Sequence, residues 1–80
     1  MKQEFIIMDA SVKYMGARNI LEEGLMYTGT SWIRGVDKAF KYDSATSAID
    51  QAKELQKEAA VRVFMIQVNG NRVGFAEVNF

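Results

Sequence analysis

The sequence predicts an α+β fold: an antiparallel sheet of about four to five strands, with one main helix packed on one face. Three observations carry that expectation. Between residues 45 and 59, Ala48, Ile49, Ala52, Leu55 and Ala59 fall on one helical face, and Asp50, Lys53, Glu54, Lys57 and Glu58 on the other. Val61 to Val68 and Arg72 to Asn79 are long β-rich segments, and Asn69-Gly70 between them is a strong hairpin signal. Glu4 to Met8 is a further compact apolar run rich in β-formers.

In chain order, Glu4 to Met8 is a compact apolar run that reads as the first strand. Asp9-Ala10-Ser11 supplies turn chemistry, and Val12 to Met15 ends at Gly16, so a first hairpin is expected over residues 3 to 16. Asn19 can cap a helical turn over Ile20-Leu21-Glu22-Glu23 that Gly24 stops. Leu25 to Thr28 and Ser31 to Ile33 are strand-like and separated by Gly29. They read as a third strand with a bulge or as a loop with two anchors. Val36, Ala39 and Phe40 mark a short helical step. Ser44 is a natural N-cap for the main helix, because its hydroxyl can accept from an orphan amide of the first turn. A three-residue Asn69-Gly70-Asn71 connection with a bulge is the alternative closing of the last hairpin. Gly74 leaves room for a large cross-strand neighbour.

Eighty residues make one domain, residues 1–80, with a thin stability margin. Ten basic and ten acidic residues balance and are interspersed, which disfavours nucleic acid and anionic membranes as partners. No histidine and no cysteine are present, so a zinc site, a disulfide and a histidine triad cannot be built. No loop carries the spaced acids of a calcium hand. No cofactor is implied. No apolar run approaches a membrane span, and the N-terminal run is too short for a signal peptide; the expected location is the cytoplasm.

The strands pose a problem of cover. Val61, Val63, Met65 and Gln67 alternate with Arg62, Phe64, Ile66 and Val68; Phe5 and Ile7 alternate with Ile6 and Met8. Both faces are mainly apolar, and such strands are covered on both sides. One helix covers one face. The second falls to the Ala17–Phe40 segment with Trp32 as its plug, to a second copy, or to a partner. Ile6 and Met8 are candidate interaction residues on that account.

Candidate chemistry is sparse. Glu22-Glu23 is a poor acid/base pair, since helical neighbours diverge. Gly29-Thr30-Ser31 beside Arg34 suggests an anion cradle but lacks the phosphate-loop lysine. Arg34, Lys38 and Lys41 with Trp32, Tyr27 and Tyr42 form a basic and aromatic neighbourhood of the kind that binds single-stranded nucleic acid. Asp37 and Asp43 offset its charge, and Trp32 and Phe40 are expected in the core.

The order of elements resembles that of many short proteins of phages and prophages, often of unknown function. The resemblance rests on a hairpin through Phe5–Gly16, Trp32, an Asp37-Lys38-Ala39-Phe40 step, Ser44, a helix bearing Ala48 and Ala52, and a following strand. It spans residues 5 to 68, and the long final hairpin departs from it. It transfers no catalytic residue. It implies an accessory protein that binds a host or phage macromolecule. The leading expectation is therefore a non-enzymatic binding protein, an inhibitor acting by protein–protein interaction, with a homodimer as the simplest oligomer. The alternatives are a nucleic-acid-binding accessory protein and an oligomer that sequesters a small anionic ligand.

Overall fold

The computed structural model describes residues 2–9, 22–69 and 72–80. Its strands are β1 (Lys2–Asp9), β2 (Leu25–Tyr27), β3 (Trp32–Arg34), β4 (Val61–Asn69) and β5 (Arg72–Val78), with a 3-10 turn at Val36–Lys38 and one helix, α1 (Ala45–Leu55), between β3 and β4. They form one antiparallel sheet in the order β3-β2-β1-β4-β5. The α+β architecture expected from the sequence is present, with five strands among the described residues.

β1 and β4 form the middle of the sheet and pair one to one from Lys2↔Val68 to Asp9↔Val61. On one face Phe5, Ile7, Val61 and Val63 pack with Ala48 and Ala52 of the helix. On the other, Ile6, Met8, Met26, Phe64 and Ile66 form a second cluster with Ala39. Ile6, Ile7, Met8, Met26 and Val63 are fully buried. Burying one such side chain stabilises the fold by roughly 1.5–3 kcal/mol.

The second face is thus buried within the chain itself, so no partner is needed to cover it. The central segment does contribute, but not through Trp32. Val36 and Ala39 from the 3-10 turn pack there, joined by Phe75 of β5, while Trp32 packs on the helix side.

Ser44 caps α1 as expected: its backbone is extended and its Oγ accepts from the Ser47 N–H at 3.2 Å. Two alanines with no exposed surface let the helix lie close over β1 and β4. Ile49, expected as a buried knob, is only half-buried and stands outside the core cluster, whose helical members are Ala45, Ala48, Ala52 and Leu55. The helix is also shorter than its periodicity suggests. It ends at Leu55, and Lys57 and Glu58 donate to the carbonyls of Glu54 and Leu55, three residues back, tightening the chain toward β4.

Between Gly24 and Gly35 the chain forms neither a bulged strand nor an anchored loop. β2 and β3 are a small hairpin with registers Leu25↔Arg34, Met26↔Ile33 and Tyr27↔Trp32. Gly29, at φ +101°, occupies the first loop position, where two-residue hairpins of the mirror-image type take glycine. Gly35 is equally constrained, at φ +100°, a backbone conformation that side chains rarely adopt.

The expected first hairpin needs an arm over Val12–Met15, which lies outside the described residues. β1 is held on one edge by β4, and on the other by Met26 opposite Met8 and by Tyr42 opposite Phe5. In the last hairpin Asn69 pairs with Arg72, so the connection falls one residue later than Asn69-Gly70 and is not three residues long. Gly74 faces Gln67, and a Cβ on it would make an ordinary 3.5 Å contact, so no bulky neighbour requires the glycine.

Two substitutions separate these contributions. Ile7→Ala removes a fully buried side chain between helix and sheet and lowers the unfolding free energy by about 2–5 kcal/mol. Ser44→Ala removes one cap and costs about 1 kcal/mol. Urea denaturation followed by circular dichroism measures both; equal losses would contradict this division.

Candidate functional site

β1 and β2 meet at Met8 and Met26 and then diverge. The Phe40–Tyr42 segment fills the gap. The Phe40 N–H donates to the Tyr27 carbonyl at 3.0 Å, and Tyr42 exchanges both backbone hydrogen bonds with Phe5, at 2.8 and 2.9 Å. This insertion gathers four aromatic rings at one end of the sheet. Tyr27 and Trp32, opposite each other on β2 and β3, have centroids 5.3 Å apart with planes at 55°. Phe40 and Tyr42 are 4.7 Å apart at 57°. Both are tilted arrangements that suit the ring quadrupoles.

Tyr27, Trp32 and Tyr42 root this cluster in the helix-side core. Phe40 does not: it is 49% exposed and lies over Gly29, whose Cβ position is 3.5 Å from the ring. The expectation that Phe40 belongs to the core is therefore overturned. Backbone pairing with Tyr27 fixes where Phe40 sits, and its ring projects beyond the core.

The basic residues divide. Arg34 is exposed and shares the helix-side sheet face with Trp32, two residues away. Lys38 is exposed on the 3-10 turn, whose Val36 packs on the opposite face. Lys41 is a structural residue: its Nζ donates to the carbonyls of Val36 at 2.7 Å and Ala39 at 2.9 Å, completing the 3-10 turn. The three cations expected around Trp32 thus reduce to Arg34. Ile6 and Met8 are fully buried and offer nothing to a partner, because the second face is filled from within.

The Gly29-Thr30-Ser31 loop is not an anion cradle. Thr28 Oγ1 accepts from the N–H groups of Thr30 and Ser31, at 3.4 and 3.1 Å, so two of the donors an anion would use are occupied. The Tyr27 hydroxyl donates to the Gly29 carbonyl at 3.0 Å. Glu22 and Glu23 are exposed helical residues ahead of the buried Gly24. A shallow open groove beside the helix exit is lined by Gln56 to Val61.

Tyr42 is half-buried, and burial pushes its phenol above the ordinary value near 10, with Tyr27 raising it further. The folded protein then keeps a proton that the unfolded chain has released. This contribution to stability is fully present below pH 10 and is lost as pH rises through the folded value.

No protein-family model, curated protein or solved structure matches this chain. Among the described residues, no helix is long and apolar enough to cross a membrane. What the fold and the site define is an α+β domain, with one long helix among the described residues, whose sheet ends in a partly exposed aromatic cluster. The motif that could have revealed it is the Tyr27, Trp32, Phe40, Tyr42 set, but its convergence depends on the insertion between β1 and β2.

The phenol provides a direct test. Stability measured by urea unfolding should fall above about pH 10, and Tyr42→Phe should remove part of that fall. A pH dependence identical in the two proteins would show that Tyr42 makes no such contribution.

Proposed function

We propose that this chain is a small non-enzymatic binding module that acts by protein–protein contact through the aromatic end of its sheet. The observation that supports this reading most directly is Phe40. It is a large apolar ring, half in solvent, held in place by backbone pairing, and set beside three further aromatic rings with Arg34 on the adjoining face. Aromatic residues and arginine are the side chains most enriched at the cores and hot spots of protein interfaces. A pre-positioned ring loses little conformational freedom on binding. The resemblance to short phage and prophage proteins supports an accessory role of the same kind, an inhibitor that binds a host protein in the bacterial cytoplasm.

The nucleic-acid alternative has weaker support. Phosphate binding needs several free cations on one surface. Lys41 is committed to two backbone carbonyls, and Lys38 belongs to the turn packed on the far face.

Immobilised protein should retain a defined partner from a bacterial lysate. Phe40→Asp should abolish retention while leaving the thermal melt nearly unchanged, because the ring lies outside the buried core. Retention of nothing above control, or retention indifferent to Phe40→Asp, would defeat the reading.

A further inference from the structure

We propose that two copies of this chain join edge to edge through antiparallel pairing of β5 with β5, making one continuous ten-stranded sheet. Among the described residues, no strand pairs with the outer edge of β5. An outer edge of that kind presents alternating backbone N–H and C=O groups, and the ligand that satisfies them is another extended strand.

Native edge strands carry devices that prevent such pairing: shortness, proline, bulges, and charged side chains, lysine above all. The other edge of this sheet, β3, has three residues. β5 has seven, and its register with β4 runs one to one from Val63↔Val78 to Asn69↔Arg72 without a bulge. The chain has no proline. Glu77 is turned back onto the sheet, where Arg62 Nε and Nη2 donate to its two carboxylate oxygens, both at 2.8 Å. Gly74 and Ala76 are small and exposed.

A second copy fits this edge better than an unrelated strand, for reasons of charge and symmetry. The chain has no net charge to oppose self-association. Antiparallel pairing of identical edges requires a two-fold axis normal to the sheet, which keeps like faces together. With Phe75 at the axis, the two Phe75 rings meet on the face where Phe75 already stacks on Phe64, 4.6 Å apart with planes at 17°. The stack then continues across the seam as four rings, a favourable cross-strand arrangement. On the other face Gly74 comes opposite Ala76 of the second copy, so no bulk obstructs the approach. The helix lies over β1 and β4, set back from the seam. The seam is also at the opposite edge of the sheet from β3, so it leaves the Phe40 end free and is independent of what that end binds.

Sedimentation equilibrium over a concentration series provides the test. The mass should rise from 9.0 kDa toward twice that value in the unaltered chain. Ala76→Lys should weaken association at least about ten-fold, as edge lysines do, with an unchanged thermal melt because Ala76 is exposed. The register is read separately. The chain has no cysteine, so oxidising a mixture of Gly74→Cys and Ala76→Cys proteins should link the mixed pair in preference to either like pair. A monomer at every concentration, or a dimer that Ala76→Lys leaves intact, overturns the proposal. A dimer with no preference for the mixed disulfide overturns its register.

Discussion

The structure depends on one constraint: β1 and β4 are apolar on both faces. Their one-to-one pairing places Phe5, Ile7, Val61 and Val63 on one side and Ile6, Met8, Phe64 and Ile66 on the other. Two covers are therefore needed from a chain of eighty residues. The first is α1, where Ala48 and Ala52 bring the helix axis close to the strands. The second includes Val36 and Ala39 from a 3-10 turn, with Phe75 from the sheet itself. The small residues of the helix and the brevity of the turn both follow from fitting two covers into so short a chain.

Much of what remains follows from where those covers stop. β2 is three residues long and parts from β1 beyond Met26. The chain leaving the 3-10 turn is drawn into that gap, and Tyr42 satisfies the Phe5 backbone that β2 leaves unpaired. Lys41 completes the turn from the same short segment by bonding two of its carbonyls. The aromatic cluster is thus a by-product of backbone pairing: once Phe40 and Tyr42 are fixed, their rings fall beside Tyr27 and Trp32. The Phe40 ring extends beyond the core because the hairpin loop beneath it has a glycine at its tip, and nothing larger rises to bury it.

The features legible in the sequence were those set locally. Ser44 marks the helix start through its own hydroxyl, the alternation of Val61–Val68 identifies a strand with two apolar faces, and Val36 with Ala39 gives the short turn. The features missed were set by distant pairing. Three-residue strands carry too little periodicity to separate β2 and β3 from a loop. The position of the last hairpin's connection follows from the β4–β5 register as a whole, not from the Asn69-Gly70 dipeptide. Ile6 and Met8 look the same in sequence whether a partner or the chain itself covers them. Phe40 and Lys41 were assigned by residue type, one to the core and one to the surface. Phe40 stays half exposed and Lys41 bonds two backbone carbonyls, because backbone bonds fix the segment before side-chain preference can act.

The edges and the ends of a sheet filled on both faces offer a partner different kinds of recognition. An edge presents backbone, which pairs with any extended strand and is indifferent to most side chains. An end presents particular side chains and so selects among partners. In this chain the long edge and the aromatic end lie on opposite sides of the sheet. Pairing at β5 would therefore place the two aromatic ends at the far margins of the joined sheet. With strands roughly 4.8 Å apart, ten strands separate the outermost pair by about 43 Å. A partner that offered two binding surfaces at that spacing would engage both ends at once, and the second contact would be intramolecular, adding avidity without any new interaction. In such an assembly the edge would set how many partner sites are held, and the aromatic end would set which ones.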